Sequence, residues 1–532
     1  MKTIALENFN LASAIYQHAL NSPQTTAIAS QGQTLSYGEF AQRAAGLASC
    51  LMDSPDWPRR EGQVPRVGIL ASRGVDACVA LLGACWAGAT YVPIALKQPQ
   101  DRMLTLLEQC DLSAIITDDE GLKLLTGRLL TACPPLVLHV GRPPLTAWEN
   151  PEQPLIQLTE LSPVTLSAPA MVTASDTAYI IFTSGTTGIP KGVMICAGAA
   201  RHYVTMICQQ LGLQASDRAL ETCELSFDFS VHNMFSTWEA GAALHILPAT
   251  TVMNAVKFVK YSELTVWNSV PSLAGMLRQL KVLSPGSLAT LRLTVFGGEP
   301  LPASTVTAWQ SAAPNSLIFN LYGPTEATVF CLYQTVSNPL ALTPGRDAIS
   351  IGMPLPGSDA QVVDDNDQPV ARNTPGELLI AGAQLAEGYL GAPVLTTARF
   401  PLLEGRRWYR TGDLALCDEL GRFHCLGRID NQVKVMGYRV ELEEIDAHLR
   451  MVCGSDLVGS VAWPVADGMA RGIVSFVHAE SIDALGTLEA LKSRLPPYML
   501  PSRIIALDKL PLSANGKIDR KALRQLLDTQ AP

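Results

Sequence analysis

Charge is scarce in this sequence. Charged side chains make up only 16% of its 532 residues, and aromatic side chains only 6%. The net charge is −9 and no block of Lys or Arg offsets it, so the chain lacks the basic surface that binds nucleic acids or anionic membranes. We therefore expect neither a nucleic-acid partner nor a membrane partner. Hydrophobic residues reach 48%, which excludes a disordered chain and indicates a globular protein with more than one core.

The twelve cysteines form no CxxC pair, because the two nearest ones, Cys78 and Cys85, are seven residues apart. Neither a zinc site nor a small disulfide scaffold is therefore expected. The N-terminus lacks the pattern of a signal peptide, since the charged Glu7 precedes any long apolar run. Free thiols without an export signal predict a cytoplasmic protein.

One uncharged run, Ala77–Leu96, is long enough to cross a bilayer. Gly83, Gly88 and Pro93 interrupt it, and such residues are typical of turns and of breaks between elements. The run therefore predicts a buried helix at about residues 75–87, followed by a short strand at Thr90–Ile94.

Apolar, β-rich runs alternate with helical patterns as far as about residue 330. The runs that predict strands are Arg66–Leu70, Ala114–Thr117, Leu136–Val140 and Leu291–Phe296. Strands that alternate with helices predict an α/β fold with parallel-type sheets covered by helices. Between about 331 and 427, frequent Gly, Pro and Asn around short alternating segments predict a small β-barrel-like unit.

The C-terminal part has a different pattern. A helical stripe of Leu442, Ile445, Leu449 and Val452 follows a strand-like segment. We predict a large N-terminal domain, residues 1–429, with the substrate and nucleotide sites, and a small, mobile α+β domain, residues 430–532.

The segment Thr183–Gly192 (TSGTTGIPKG), here called the phosphate loop, follows a strand-like run and contains three glycines, hydroxyl side chains and Lys191. Glycines let backbone N–H groups approach phosphate oxygens, and a lysine adds positive charge. A Walker loop is excluded, because Pro190 replaces its second glycine and Gly192 replaces the Ser or Thr after the lysine. Taken alone, the segment also fits a flexible surface loop.

Further motifs occur in a fixed order: LSYGEF at Leu35–Phe40, WAGATYVPI at Trp86–Ile94, NLYGPTEAT at Asn320–Thr328, YRTGDL at Tyr409–Leu414 and NGKIDR at Asn515–Arg520. With the phosphate loop, they resemble the adenylate-forming superfamily of acyl-coenzyme A synthetases, luciferase and nonribosomal-peptide adenylation domains, most closely the last. The resemblance covers nearly the whole chain and implies a ligase that activates a carboxylic acid with ATP and Mg²⁺.

The resemblance assigns a nucleotide site. It implies that Tyr322 stacks on adenine, Asn320 and Gly298 lie beside it, and Asp413 binds the ribose. Thr325 contacts the α-phosphate and Glu326 holds Mg²⁺, a hard cation that prefers carboxylate oxygens. The remaining nucleotide-binding residues that it implies are Thr183, Ser184, Gly185, Thr186, Thr187, Gly188, Lys191 and Arg428.

Lys517 matches the family's catalytic lysine, which bridges the substrate carboxylate and the α-phosphate. An ammonium there reduces the repulsion between two anions. Asp430 matches the hinge about which the small domain rotates before a thiol attacks the adenylate. The implied acceptor is the phosphopantetheine arm of a separate carrier protein, because no Gly-Gly-x-Ser carrier motif occurs in the sequence. A small activating protein is a further candidate partner.

The acid is identified by Asp228. In the amino-acid-activating branch, the matching aspartate pairs with the substrate α-ammonium, which favours an α-amino acid over an aryl or fatty acid. The positions that match the side-chain pocket are Phe229, His232, Asn268, Val295, Gly297, Leu321, Val329 and Phe330. This set is most similar to threonine-activating pockets, from which His232, Leu321 and Phe330 depart. Serine, alanine or a related small residue remains open, and His232 is either a substrate contact or a structural histidine.

Two other functions remain open on the sequence. An acyl- or aryl-coenzyme A ligase shares the motifs, but such branches lack the aspartate that matches Asp228. A catalytically silent relative would typically lose the lysine or the Mg²⁺ carboxylate, and both Lys517 and Glu326 are present. A stand-alone amino-acid adenylation enzyme is therefore the leading prediction.

Overall fold

The structure, a computed structural model, describes residues 8–30, 32–58, 64–141, 155–157, 165–185, 188–248, 254–435, 437–466, 469–512 and 518–530. Within these ranges, strands alternate with helices as far as the middle of the chain, and antiparallel strands follow. This arrangement confirms the predicted α/β fold class.

The first sheet is parallel at its centre and antiparallel at its edges. In spatial order, its strands are Met353–Pro354, Leu332–Thr335, Leu317–Tyr322, Leu293–Gly297, Val266–Ser269, Arg218–Glu221, Ala243–Ile246, Thr26–Ser30 and Gln33–Ser36. The central strands Val266–Ser269 and Leu293–Gly297 are buried along their whole length, as expected for a parallel sheet covered on both faces.

The second sheet is also mainly parallel. Its strands in spatial order are Gly388–Tyr389, Lys191–Cys196, Thr177–Thr183, Thr90–Pro93, Arg66–Leu70, Ala114–Thr117, Leu136–His139 and Leu155–Gln157. Thr177–Thr183 and Lys191–Cys196 pair in antiparallel fashion with Thr183 opposite Lys191. This hairpin fixes both ends of the phosphate loop.

The third sheet is antiparallel. It comprises Ser358–Val363, Gly376–Gly382, Leu402–Leu403, Arg406–Cys417 and Phe423–Arg428. The pairing of the last two strands brings Asp413 opposite Arg428. The third sheet thus supplies two of the predicted nucleotide-binding side chains.

The C-terminal part contains two small sheets. The strands of one are Tyr438–Glu441, Gln432–Val435, Met469–Ala470 and Val465–Ala466, and those of the other are Val458–Ala462, Ile473–His478 and Arg503–Leu507. Leu442, Ile445 and Leu449 are buried in a core formed by residues of this part, as the helical stripe predicts. The boundary at residues 429 and 430 stays a prediction.

Helices cover the sheets. The α-helices are Ser13–Asn21, Tyr37–Asp53, Val75–Trp86, Gln100–Cys110, Asp119–Leu122, Gly127–Thr131, Ala197–Leu211, Phe229–Val231, Thr237–Glu239, Ala255–Tyr261, Pro271–Gln279, Ala303–Ala312, Pro393–Arg399, Leu442–Cys453, Ala484–Lys492 and Arg520–Gln530. A π-helical turn, His232–Ser236, joins two short helices, and 3₁₀ turns form at Thr325–Ala327 and Pro497–Met499.

The uncharged run Ala77–Leu96 forms a buried helix, Val75–Trp86, and a buried strand, Thr90–Pro93. The helix packs closely on Tyr37–Asp53, since a Cβ added at Gly83 would lie 2.8 Å from the Cβ of Leu47. Among the described residues, no helix is long and apolar enough to cross a membrane.

Candidate active site

The predicted site residues meet at the carboxyl ends of the parallel strands of the first sheet. Asn268 lies in Val266–Ser269, Val295 and Gly297 lie in Leu293–Gly297, and Tyr322 ends the neighbouring strand. Ligand sites in open α/β sheets form at this edge, because loops there leave a crevice between elements.

A cavity of about 490 Å³ is lined by five of the residues predicted to bind the nucleotide, namely Gly298, Asn320, Tyr322, Asp413 and Arg428. The Tyr322 hydroxyl donates a hydrogen bond to Asp413. Asn320 donates from Nδ2 to the carbonyl of Ser350 at 2.9 Å, whereas its Oδ1 is buried with no hydrogen-bond partner in the part of the chain that is described. This free acceptor fits the amino group of a purine.

Arg428 connects the nucleotide cavity to the predicted hinge. Its guanidinium donates to Asp413 at 3.1 Å and to Asp430 at 2.8 Å. Although burial acts against the charged form of Asp430, hydrogen bonds from Arg428 and its positive charge lower the pKa of this carboxyl. The Asp430 carboxylate therefore stays ionised, and Arg428 links it to Asp413 in this arrangement.

The phosphate loop contacts residues Arg439–Glu444, here called the 439–444 segment. Gly185 donates its backbone N–H to the Glu444 carboxylate at 3.0 Å, and the Ser184 hydroxyl donates to the carbonyl of Arg439 at 2.9 Å. Lys191 lies 3.4 Å from the Glu441 carboxylate. Thr186 and Thr187 lie outside the described residues, and Gly188 has the positive φ of 83° that favours glycine.

Glu326, the predicted Mg²⁺ ligand, is fully buried. It accepts hydrogen bonds from Arg439 at 2.7 Å and from the Tyr389 hydroxyl at 2.8 Å. Burial alone would raise its pKa, but the charges of Arg439 and Lys191 and the hydrogen bonds outweigh burial, so the pKa falls to about 2. An ionised buried carboxylate fits a divalent cation. In this arrangement, the Arg439 guanidinium supplies the positive charge next to Glu326.

The 439–444 segment therefore contacts the residues predicted to bind Mg²⁺ and phosphate, and it does so with side chains of opposite charge. Its arginine contacts the Glu326 carboxylate, and its glutamates contact the Lys191 ammonium and a backbone N–H of the phosphate loop. A buried ion pair between Arg102 and Glu444 adds to the same interface. We call this the docked arrangement of the C-terminal part.

Asp228 lies beside a small cavity of about 50 Å³. Burial raises its pKa to about 6, against a hydrogen bond from Thr325 and the charge of Lys434, which lower it. A buried carboxyl with a raised pKa gains most when a cation is placed next to it. The residue is thus suited to pair with an ammonium group.

Of the residues predicted to line the side-chain pocket, Phe229, Val329 and Phe330 border the same small cavity as Asp228. His232 is buried and its Nδ1 lies 2.6 Å from the Tyr203 hydroxyl; burial lowers its pKa to about 3, so the imidazole is neutral. The Tyr203 contact favours the structural role for this histidine. Other buried members of the predicted set are Phe229, Asn268, Val295, Leu321, Val329 and Phe330.

A third cavity, of about 570 Å³, extends from Asp228 and Thr325 to Tyr438 and Tyr498. The two tyrosine rings are stacked with centroids 4.1 Å apart. Thr325 and Asp228 border both this cavity and the small one. The candidate site therefore consists of two large cavities that meet at a small one.

Sequence reasoning missed Tyr389, Arg439, Glu441 and Glu444. A signal existed for two of them, because Arg439 and Glu441 alternate in the strand Tyr438–Glu441 and so share one face. Lys517, the predicted catalytic lysine, lies outside the described residues, and its role stays a prediction.

Comparison with known proteins identifies the family. Residues 15–390 match the family described as AMP-binding enzyme. The Delta-poly-L-ornithine synthetase of Acinetobacter baumannii is 35% identical over 538 residues, which cover 98% of this chain and 37% of that protein. This chain thus spans little more than a third of that relative's length.

Two solved structures share the fold. The Vibrio cholerae adenylation domain AlmE, in complex with glycyl-adenosine-5'-phosphate, superposes with a TM-score of 0.86 at 30% identity, over 100% of both chains. A nonribosomal peptide synthetase protein containing adenylation and PCP domains gives a TM-score of 0.79 at 26% identity, over 98% of this chain and 84% of that one. Since the family match covers well over half of the sequence, the chain belongs to the AMP-binding enzymes, as an adenylation domain of the adenylate-forming superfamily.

Proposed function

We propose that this chain activates a small α-amino acid with ATP, forming an aminoacyl-adenylate and pyrophosphate, and then transfers the aminoacyl group to the phosphopantetheine thiol of a separate carrier protein. The observation that supports this most is the position of Asp228. Its buried carboxyl borders the small cavity that joins the nucleotide cavity to the 570 Å³ cavity, so an ammonium bound there leaves the substrate carboxylate near both.

The first step joins a carboxylate oxygen of the amino acid to the α-phosphorus of ATP as the bond to pyrophosphate breaks. Asp228 holds the ammonium, and Asn320 and Tyr322 bind adenine. Asp413 accepts hydrogen bonds from the ribose, as a carboxylate can from two hydroxyls. These contacts fix the two reactants in one geometry and remove the entropic cost of a bimolecular encounter.

The phosphates of ATP are bound by the phosphate loop and Lys191, and Lys517 bridges the reacting anions. Glu326 would hold Mg²⁺, which neutralises charge on the departing pyrophosphate. Because Arg439 and Glu444 bind Glu326 and Gly185 in the docked arrangement, that segment leaves before Mg²⁺ and ATP bind. Adenylation therefore uses a second arrangement, reached by rotation about Asp430.

The docked arrangement serves the second step. The 570 Å³ cavity lies between the C-terminal Tyr438 and residues of the second sheet such as Thr183, and it leads to Asp228, where the acyl group would lie. A long, thin thiol arm fits it. The AlmE structure, with a bound glycyl-adenylate, and the neighbour that contains a PCP domain support the two half-reactions.

The test is amino-acid-dependent exchange of labelled pyrophosphate into ATP, screened over amino acids. Lys517→Ala and Asp228→Asn should each reduce exchange by about 100-fold or more, while the exposed controls Lys509→Ala and Asp365→Asn leave it unchanged. If none of the amino acids supports exchange, the proposal is refuted. Transfer that prefers free coenzyme A to a carrier would instead favour a coenzyme A ligase.

A further inference from the structure

The side-chain end of the amino-acid site is closed by three aromatic rings. Phe229 and Phe330 lie edge to face with centroids 5.0 Å apart. His232 lies 5.6 Å from each of them, also edge to face. Edge-to-face packing at these distances is the favoured geometry of aromatic pairs, so the rings form one closed cluster.

Phe330 fills the space that a neighbouring strand leaves open. Gly297 has no side chain, and a Cβ added there would lie 2.4 Å from the Phe330 Cζ and 2.6 Å from its Cε1. The ring therefore lies directly against the Gly297 backbone. A glycine on the strand does not widen this pocket, because Phe330 already occupies the space.

The Nδ1 atom of His232 is not available to a polar side chain. The π-helical turn His232–Ser236 begins at this residue, and its Nδ1 is already hydrogen-bonded to Tyr203. A substrate hydroxyl placed among these aromatic rings would lose its hydrogen bonds to water, and the phenylalanine rings offer no hydrogen bond in return, which is unfavourable.

The volumes agree with the ring positions. In the docked arrangement, the cavity beside Asp228, which Phe229 and Phe330 also line, measures about 50 Å³, against about 490 and 570 Å³ for its neighbours. A cavity of roughly 150 Å³ holds one benzene molecule. On that scale the small cavity admits about two non-hydrogen atoms, the ammonium nitrogen and the α-carbon, so the carboxylate extends into the adjoining larger cavities and no room is left for a side chain.

We infer that the amino acid is glycine, selected because Phe330, packed on Gly297 and supported by Phe229 and His232, fills the space that a side chain would need. The inference rests on the proposed function and replaces threonine, which the sequence match of the pocket positions favours. Each added carbon would displace a ring from a tightly packed cluster, so alanine should react about 5- to 150-fold less efficiently than glycine, by the usual cost of overpacking a core.

The experiment compares kcat/KM for glycine, alanine, serine and threonine in pyrophosphate exchange. The wild type should prefer glycine to threonine by about 100-fold or more. Phe330→Leu should largely remove the preference for glycine over alanine, so that the two are used within about threefold of each other. Phe296→Leu is the matched control, since Phe296 precedes Gly297 on the same strand but packs on Trp309 in another core, and its preference should equal that of the wild type.

Equal use of threonine or alanine by the wild type would overturn the glycine inference and leave the proposed function standing. If no amino acid supports exchange, the proposed function itself is refuted. An unchanged preference in folded Phe330→Leu would remove Phe330 as the selecting residue. Should that variant not fold, Phe330→Met, whose unbranched side chain adapts more easily to a packed core, takes its place with the same two outcomes.

Discussion

Replacing Arg439 by methionine tests whether the docked arrangement serves thiol transfer. Methionine keeps much of the length of the side chain and removes the guanidinium that donates to Glu326 at 2.7 Å. Tyr389 and Lys191 remain beside the carboxylate. The substitution therefore weakens the attachment of the 439–444 segment while the residues proposed to bind adenine and ribose stay in place.

The size of the effect follows from Glu326. Its pKa falls from 4.5 to about 2 in the docked arrangement, which corresponds to about 3 kcal/mol of stabilisation of the carboxylate. Arg439 is the first of the groups that outweigh burial, so its loss should cost most of this energy. Breaking one partner of a buried ion pair typically costs about 3–5 kcal/mol. We expect the docked population to fall by about 100-fold.

The assay separates the two half-reactions. Arg439→Met should slow single-turnover transfer from preformed adenylate to the carrier thiol by about 10- to 100-fold and leave pyrophosphate exchange within about threefold of the wild type. Arg450→Met is the control, because Arg450 hydrogen-bonds the carbonyl of Asp456 within the C-terminal part. Transfer at the wild-type rate, or an equal loss in both half-reactions, would refute the reasoning.

Three further predictions concern single groups. Asp228 has a pKa of about 6 and is proposed to bind the ammonium as a carboxylate, so kcat/KM for the amino acid should fall about tenfold per pH unit below pH 6. The same slope in Asp228→Asn would contradict this. Tyr389→Phe removes a hydrogen bond to a buried charge, so the free energy of unfolding should drop by about 1.5–3 kcal/mol at neutral pH. Because the pKa of Glu326 is below its unfolded value, that difference should shrink as pH falls from 4.5 toward 2, which urea titrations would measure. Gly83→Val should lower the free energy of unfolding, measured by urea titration, by about 1–3 kcal/mol, because the added side chain would press on Leu47. Gly212→Ala, in open space but at positive φ, should lower it by less.

Local sequence patterns predicted much of the fold. The strands Arg66–Leu70 and Ala114–Thr117 begin and end where their apolar runs do, because strands buried on both faces need uninterrupted apolar residues. The helix after Glu441 follows its apolar stripe, since period and burial are set within one element. Motif order predicted the superfamily, which the comparisons confirm.

Sequence reasoning also named many residues that the structure brings to one crevice. Asn320, Tyr322 and Asp413 border one cavity, and Asp228 and Phe330 border the next. This was possible because the motifs follow strand ends, and the carboxyl ends of parallel strands share one edge of a sheet. The catalytic and binding roles assigned to these residues stay predictions.

The sequence by itself determined the elements, the family and the neighbourhood of the site, because periodicity and motifs are properties of short segments. Only the tertiary structure decided that Arg439 reaches Glu326, 113 residues away in sequence, and that the 439–444 segment contacts the phosphate loop. It also decided the size of the pocket, since the Phe330 ring fills the space beside Gly297. Such contacts depend on how separate strands stack and on sub-ångström packing, which no spacing of residue types along the chain specifies.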